Sequence, residues 1–186
     1  MVAQQEYEMA VEIARQNFDS IMRTMPSSLK SREDSLYGKL MNSKLGPIKR
    51  LEVLYKEMEI IYTFIHPFSL CKKGCNYCCH YEIAVSSVEV EYIKKNVNMK
   101  GKIKPERSKA CPFLKKGICS IYPYRPFLCR RHLSLADSNR WCEKKLCNNY
   151  TFPLINFSEV DRSYADIAGL NGLNSVKDIR DVFPRA

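Results

Sequence analysis

Nine cysteines are the feature that most limits what this chain of 186 residues can fold into. Four of them lie close together, in the stretch Cys71-Lys-Lys-Gly-Cys75-Asn-Tyr-Cys78-Cys79. Packing alone does not require thiols at this density, whereas a metal ion or an iron–sulfur cluster does, because several thiolates must converge on one centre. The other five cysteines all follow this stretch: Cys111, Cys119, Cys129, Cys142 and Cys147.

The bulk properties indicate one domain in a reducing compartment. A chain of this length can bury a hydrophobic core without crosslinks. Its amino terminus, Met-Val-Ala-Gln-Gln-Glu-Tyr-Glu, has no basic segment followed by an apolar run, and no apolar stretch is long enough to span a membrane. We therefore expect a cytoplasmic protein without a membrane partner, in which the odd number of cysteines binds metal instead of forming disulfides.

Apolar residues at intervals of three and four predict two long amphipathic helices in the first part of the chain. The first spans residues 7–22 and the second spans residues 51–65, where His66-Pro67 ends it. A shorter helix is predicted around residues 32–40. Residues 1–66 are therefore expected to form a helical segment that packs on the rest.

Fewer regular elements are predicted beyond the first cysteines. Residues 83–85 are a short extended segment, and Ser86-Ser87-Val88-Glu89 predicts a capping box that opens a helix to about residue 97. Residues 100–109 are expected to be a loop. Three prolines between Cys111 and His132 predict that the later thiols lie on turns.

One more helix is predicted near the end of the chain, and the predicted fold class is mainly α. Ser175 and Asp178 predict a second capping box before a short helix that ends at Phe183. We expect a helical domain with an irregular, loop-rich cysteine cluster pinned by metal. Residues 67–186 form its metal-binding domain and pack with residues 1–66 as one compact unit.

The spacing of the first four thiols permits a tight turn around one centre. Gly74 can supply the positive φ that such a turn requires. The side chains of Cys78 and Cys79 are expected to point apart, one into the primary site and the other toward a second centre or into the core. One tetrahedral zinc uses four thiols, so nine leave room for two sites or for a larger cluster of iron and sulfur.

The order of the cysteine blocks resembles the YkgJ-type cysteine-cluster family, which is named for its CxxCxxCC signature and described as a zinc- or iron-chelating domain. The blocks are Cys71-Lys-Lys-Gly-Cys75-Asn-Tyr-Cys78-Cys79, then Cys111-Pro-Phe-Leu, then Gly117-Ile-Cys119-Ser-Ile-Tyr-Pro-Tyr-Arg-Pro-Phe-Leu-Cys129-Arg130. The closing residues 178–184 also look similar to this family. The resemblance implies that the chelating residues are Cys75, Cys78, Cys79, Cys111, Cys119 and Cys129.

One departure from that family concerns Cys71. Three residues separate Cys71 from Cys75, where the signature has two, so Cys71 is a candidate ligand without an exact counterpart.

Cys71-x3-Cys75-x2-Cys78 is also similar to the cluster signature of radical S-adenosylmethionine enzymes. The chain after Cys79 is too short for their series of β/α units, which disfavours that fold. Cys142 and Cys147 are candidates by proximity only.

Histidines and arginines near the cysteines have two interpretations each. His80 and His132 could ligate metal, but a supporting or surface position is the more common use of such histidines. Arg125, Arg130 and Arg131 either donate hydrogen bonds to cluster sulfurs or pack against neighbouring aromatic rings. The rings concerned are those of Tyr122, Tyr124 and Phe127.

The formal net charge of +10 suggests an acidic partner. Nine bases lie between Lys94 and Lys116, together with the single acid Glu106. Such a run of like charge is usually a solvated loop. An acidic protein or nucleic acid bound by residues 94–116 is the alternative interpretation.

The sequence favours a cytosolic metal-binding protein that holds an iron–sulfur cluster or zinc through clustered thiolates. One alternative is a cluster-assisted enzyme similar to protein lysine methylases, because the family's domain also occurs in flagellin lysine methylases. Another is a zinc-knuckle adaptor that binds nucleic acid, and a fourth is metal sequestration or delivery. No catalytic residue is assigned, and the sequence leaves open whether the chain is an enzyme.

Overall fold

The computed structural model describes residues 4–99, 109–170 and 176–184. Helices dominate these residues, as predicted, and none of their helices combines the length and apolar character needed to cross a membrane. The α-helices of the described residues are α1 (Gln4–Thr24), α2 (Ser27–Asp34), α3 (Leu36–Met41), α4 (Pro47–Ile65), α5 (Ser87–Asn96), α6 (Phe127–Arg131), α7 (Lys144–Cys147), α8 (Ser158–Ala168) and α9 (Ile179–Val182). The strands are β1 (Ala84–Val85), β2 (Leu114–Lys115), β3 (Ile118–Cys119) and β4 (Lys177–Asp178).

Helices α1 and α4 confirm the two amphipathic patterns. Helix α4 begins with Pro47, whose fixed φ and missing N–H suit the first turn of a helix. It ends at Ile65, and His66 is its C-cap residue, as predicted. The expected helix at residues 32–40 is instead two helices, α2 and α3, on either side of Ser35.

The capping box at the start of α5 is confirmed. The Ser86 hydroxyl accepts a hydrogen bond of 3.3 Å from the Glu89 N–H, and the Glu89 carboxylate accepts one of 2.8 Å from the Ser86 N–H. Two of the otherwise unpaired N–H groups at this helix end are thereby satisfied. Of the second predicted box, Ser175 lies outside the described residues, and Asp178 is itself the N-cap of α9. The loop predicted at residues 100–109 also lies outside them, apart from Lys109.

Helix α8, which the sequence-based predictions do not include, packs against α3 and α4. Its buried residues Val160, Tyr164 and Ile167 recur at helical spacing, and Gly169 ends it with a φ of 67°. The core therefore draws on both ends of the chain, from Leu54 in α4 to Val160 in α8. A domain boundary at residue 66 stays a prediction.

Two small antiparallel sheets lie beside the cysteines. In the first, β1 pairs with β4, and the Ile179 N–H donates to the Ile83 carbonyl over 2.9 Å, so the closing segment is fixed next to the chain that follows Cys79. In the second, β2 and β3 form a hairpin. Its turn residues Lys116 and Gly117 have φ values of 48° and 77°, the left-handed conformation that suits a two-residue hairpin.

Candidate metal centre

Eight of the nine cysteines line one cavity of about 50 Å³, which we call the cysteine cavity. All seven candidate ligands of the sequence analysis are among them, and Cys142 is the eighth. Cys147 does not line it. The thiols of the cysteine cavity are those of Cys71, Cys75, Cys78, Cys79, Cys111, Cys119, Cys129 and Cys142.

The first four thiols lie on a turn followed by a single 3₁₀ turn. Gly74 adopts a φ of 101°, as predicted, and the Cys75 N–H donates to the Lys72 carbonyl over 3.0 Å. Cys78 and Cys79 both belong to the 3₁₀-helix Tyr77–His80. Both line the cysteine cavity, whereas only one was expected to face it. Successive residues of a 3₁₀-helix are about 120° apart, which lets both reach a cavity that surrounds one side of the turn.

The later thiols come from three different kinds of backbone. Cys111 lies in an irregular segment, and its N–H donates to the Cys79 carbonyl over 2.7 Å. Cys119 lies on strand β3 and Cys129 in helix α6, so the expectation that these thiols lie on turns is wrong for both. The prolines bound these elements instead of excluding them, because Pro126 occupies the N-cap of α6, where no helical N–H is required.

Ser134 links the two ends of this constellation. Its backbone N–H donates to the Cys71 sulfur over 3.3 Å, and its side chain lowers the pKa of the Cys142 thiol, although burial outweighs this effect and raises that pKa to about 11. Cys142 is the last residue of the 3₁₀-helix Asn139–Cys142. The preceding residue of this helix, Trp141, is buried. Nothing in the local sequence pattern indicates the contact of Ser134 with Cys71, because the two residues are 63 positions apart.

Burial controls the protonation of these thiols. It raises the pKa of Cys111 to about 11 and the pKa of Cys129 well above its usual value, and the nearby thiol of Cys78 adds to both shifts. The pKa of Cys78 is raised chiefly by its hydrogen bond with Cys79 and then by burial. Without a cation, Cys78, Cys111 and Cys129 are therefore protonated at neutral pH, and a bound cation would favour their thiolate forms.

Arg125 is the arginine that lines the cysteine cavity. Its guanidinium carbon lies 4.1 Å from the centre of the Tyr122 ring, and its charge lowers the pKa of Cys119, although burial outweighs this effect. Its buried Nε has no hydrogen-bond partner among the described residues. This donor can serve an acceptor in the cavity, such as a thiolate sulfur.

Arg130 and Arg131 have structural partners elsewhere. Arg130 is buried and donates to the backbone carbonyls of Pro123 and Arg125, the latter over 2.9 Å. Arg131 forms two hydrogen bonds with the Asp161 carboxylate, of 2.7 and 2.9 Å. These two arginines hold α6 in place, and of the three arginines only Arg125 lines the cysteine cavity.

The histidines also differ in whether they line the cysteine cavity. His132 follows α6 and lines the cysteine cavity, so it remains a possible nitrogen ligand. His80 is exposed and does not line the cavity. His66 only ends α4, as expected.

Glu89 supports the site through its contact with α6, the helix that carries Cys129. It is fully buried, and one carboxylate oxygen accepts hydrogen bonds from the Tyr55 hydroxyl and the Phe127 N–H over 2.9 and 2.7 Å. The other oxygen accepts from Ser86 and, over 2.6 Å, from the Tyr164 hydroxyl. Because α6 carries Cys129, this carboxylate positions a cavity thiol. The sequence indicates only its capping role.

The closing segment returns to the same cavity. Ile179 lines it, and the buried Arg180 forms an ion pair of 2.7 Å with Asp178. Arg180 also donates to the Lys109 carbonyl over 3.2 Å, two residues before Cys111. The carboxyl terminus therefore helps to fix a thiol that lies far from it in sequence.

The chemistry of the donor set fits a soft metal. Eight thiols and no carboxylate line the cavity, and thiolates are the ligands that zinc and iron–sulfur clusters use. In the part of the chain that the structure describes, no group of three or more His, Cys, Asp or Glu side chains is already arranged to hold a metal ion. Metal binding would therefore require the sulfur atoms to move closer together, which rotation about the Cα–Cβ bond of each cysteine allows.

A family model matches the part of the chain that supplies these thiols. The match covers residues 70–151, and the model is CxxCxxCC, described as a putative zinc- or iron-chelating domain. The closing residues 178–184 lie beyond it, so their resemblance stays a prediction. No curated protein and no solved structure matches the chain. Residues 70–151 therefore match the family that the cysteine blocks resemble.

Proposed function

We propose that this protein binds an iron–sulfur cluster or zinc in the cysteine cavity. The observation that carries the proposal is that eight cysteines, from segments that lie far apart in sequence, line one cavity without carboxylates. Such a set suits a soft metal and disfavours magnesium or calcium, which prefer oxygen ligands. The ligands we propose are the seven cysteines predicted from the sequence, together with Cys142.

The number of thiols favours either two metal centres or one larger cluster over a single tetrahedral zinc. A single zinc would leave four of the eight thiols without a partner, whereas two centres or a larger cluster would engage more of them. Several thiolates carry a net negative charge, which the guanidinium of Arg125 would partly offset. Its unpartnered Nε–H would also donate to a sulfur.

The metal would have a structural consequence whatever its identity. The thiols belong to the turn at residues 71–79, the irregular segment at Cys111, the β2–β3 hairpin, α6 and the 3₁₀-helix that ends at Cys142. None of these short elements has a large core of its own. A metal that joins them would therefore contribute its binding free energy to the folding of this half of the chain.

A reducing compartment, of which the cytoplasm is the one we expect, is part of the proposal. All nine cysteines are free thiols. In an oxidising compartment thiols this close together would form disulfides and lose their capacity to bind metal.

Elemental analysis of protein purified without oxygen tests the proposal. We expect zinc, or iron with acid-labile sulfide, in a fixed ratio to the chain. Cys78→Ser should reduce this ratio strongly, whereas Cys147→Ser should preserve it, because Cys147 does not line the cysteine cavity. Wild-type protein that contains neither metal and is nevertheless fully folded would contradict the proposal.

The other functions considered for the sequence stay predictions. Of the basic region at residues 94–116, the structure describes only the two ends, and Lys95 there pairs with Glu52 at 3.3 Å. Methylase-like activity and nucleic-acid binding have no specific support from the described contacts.

A further inference from the structure

A second cavity, of about 190 Å³, lies directly beside the cysteine cavity, and we call it the outer cavity. The two cavities have part of their lining in common, so they adjoin through shared side chains. The shared residues are Cys78, Ile83, Cys129, His132 and Cys142. An ion in the outer cavity would therefore face three of the thiols that also line the inner one.

Cys147 lines the outer cavity only. It ends α7 and is the exposed thiol among the nine, whereas the other eight are partly buried. The thiols thus form a graded series from solvent inward. Cys147 is at the surface and lines the outer cavity only, whereas Cys142, Cys78 and Cys129 are partly buried and line both cavities.

Tyr81 lies beside the outer two members of this series. Its hydroxyl donates to the Cys142 carbonyl over 3.1 Å, and the pKa of the same hydroxyl is raised by burial and by the neighbouring Cys147 thiol. Tyr81 itself lines the outer cavity. One side chain therefore lies beside both the exposed thiol and the backbone of the thiol that reaches the inner cavity.

We propose that the outer cavity is the route by which metal reaches the cysteine cavity, with Cys147 and Cys142 as the pair that captures it. This inference rests on the proposed function and adds the direction of loading. The exposed Cys147 thiol binds the incoming ion first, and Cys142 binds it next. Cys78 and Cys129 complete the transfer, because they line both cavities.

The transfer is an exchange of ligands without electron transfer. Each thiol that binds the ion releases its proton to water, because the thiolate is the form that ligates metal. As an inner thiolate forms its bond to the ion, the bond between the ion and Cys147 breaks, and Cys147 takes up a proton again. The ion therefore moves inward without returning to bulk water, and Cys147 is free to capture another.

Uptake kinetics on the metal-free full chain test this inference. Co²⁺ is added without oxygen, and the thiolate-to-metal absorption is followed over time. Cys147→Ser should slow uptake several-fold at limiting Co²⁺ and leave the final amount bound unchanged. The matched control is Asn148→Ser, which alters the exposed residue next to Cys147 without removing a thiol and should load at the wild-type rate.

Alkylation separates capture from permanent ligation. In the fully loaded wild-type protein, Cys147 should still react with iodoacetamide, whereas the inner thiols should be protected. Equal uptake rates of Cys147→Ser and wild type would overturn the inference and leave the proposed function intact. So would protection of Cys147 in the loaded protein, because it would then be a resident ligand. If the wild type binds no Co²⁺, zinc or iron, both the inference and the proposed function fail.

Discussion

The buried carboxylate of Glu89 accepts a hydrogen bond of 2.7 Å from the backbone N–H of Phe127, the first residue of α6. An N–H in the first turn of a helix has no partner within the helix, so this carboxylate satisfies a donor that would otherwise be unpaired. It is also favourably placed at the positive end of a helix. The bond ties α5 to the helix that carries Cys129.

We expect Glu89→Gln to lower both stability and metal content. The amide nitrogen of glutamine cannot accept the hydrogen bonds that one carboxylate oxygen accepts, so at least one buried donor loses its partner. The loss should be on the order of 3 kcal/mol in the free energy of unfolding, because hydrogen bonds to a charged group are involved. Urea denaturation measures it, and elemental analysis reports the metal. Glu91→Gln, on the exposed face of the same helix, is the control and should behave as wild type.

Glu57 provides a prediction about acid stability. Its side chain is only 7% exposed and accepts bonds of 2.6 Å from Arg32 and 2.7 Å from Lys39. Burial raises the pKa of this carboxyl, but the hydrogen bonds from Lys39 and Arg32 outweigh burial, so the pKa lies below its usual value of 4.5. Its contribution to stability is therefore present above pH 4.5 and is lost as the pH falls through the lower, folded-state value.

Glu57→Gln should accordingly make stability less dependent on pH in the acid range. At neutral pH the variant should lose about 1 kcal/mol, because the partners of Glu57 are solvent-exposed and the pairs are screened. Near pH 3 the difference from wild type should shrink. Urea midpoints measured across this range check the prediction. Glu12→Gln is the control, since that side chain lies on the exposed face of α1. A gap that widens on acidification would contradict the assignment.

Local signals in the sequence predict a large part of the fold. Helices α1 and α4 follow from apolar periodicity, the start of α5 follows from its capping box, and the positive φ of Gly74 follows from the tight spacing of thiols. The signal for α8 is also present in the sequence, since Val160, Tyr164 and Ile167 recur at helical spacing before a glycine. That helix was therefore predictable, although it is absent from our predictions.

The internal support of the site depends on contacts that no local pattern contains. Glu89 pairs with Tyr55 and Tyr164, which lie 34 and 75 residues away from it. Ser134 reaches Cys71 across 63 residues. The spacing of the cysteines in the sequence predicts that they bind a common centre. The residues that support them come together only when α4, α5 and α8 pack against one another.

Gly117 is a position where the backbone, not a side chain, limits substitution. Its φ is 77°, and a Cβ added there would lie 3.3 Å from Nδ2 of Asn76, which donates to the Gly117 carbonyl over 3.1 Å. Gly117→Ala should therefore cost roughly 1 to 2 kcal/mol, the usual penalty for an L-residue in the left-handed conformation. Thermal denaturation measures the cost. Gly38→Ala, in an exposed helical position with nothing within 4 Å of the added Cβ, is the control and should be neutral or stabilising.

Arg125 offers a test of how the protein balances the charge of its thiolates. Arg125→Gln removes the positive charge beside Cys78 and Cys119, and it should weaken metal affinity about tenfold, because partners that support ligands typically contribute that much. Arg125→Lys retains the charge without the planar group and should give an intermediate affinity. Competition with a chelator of known affinity measures the effect.

The control for Arg125 is an arginine with the same aromatic contact away from the thiols. Arg162 lies 3.7 Å from the centre of the Tyr37 ring and is exposed. Arg162→Gln removes a positive charge and a ring contact of the same kind, so it should leave metal affinity unchanged. If both glutamine variants weaken affinity equally, the effect reflects net charge and not the position of Arg125. If neither does, Arg125 packs on Tyr122 without serving the metal, and its unpartnered Nε has another explanation.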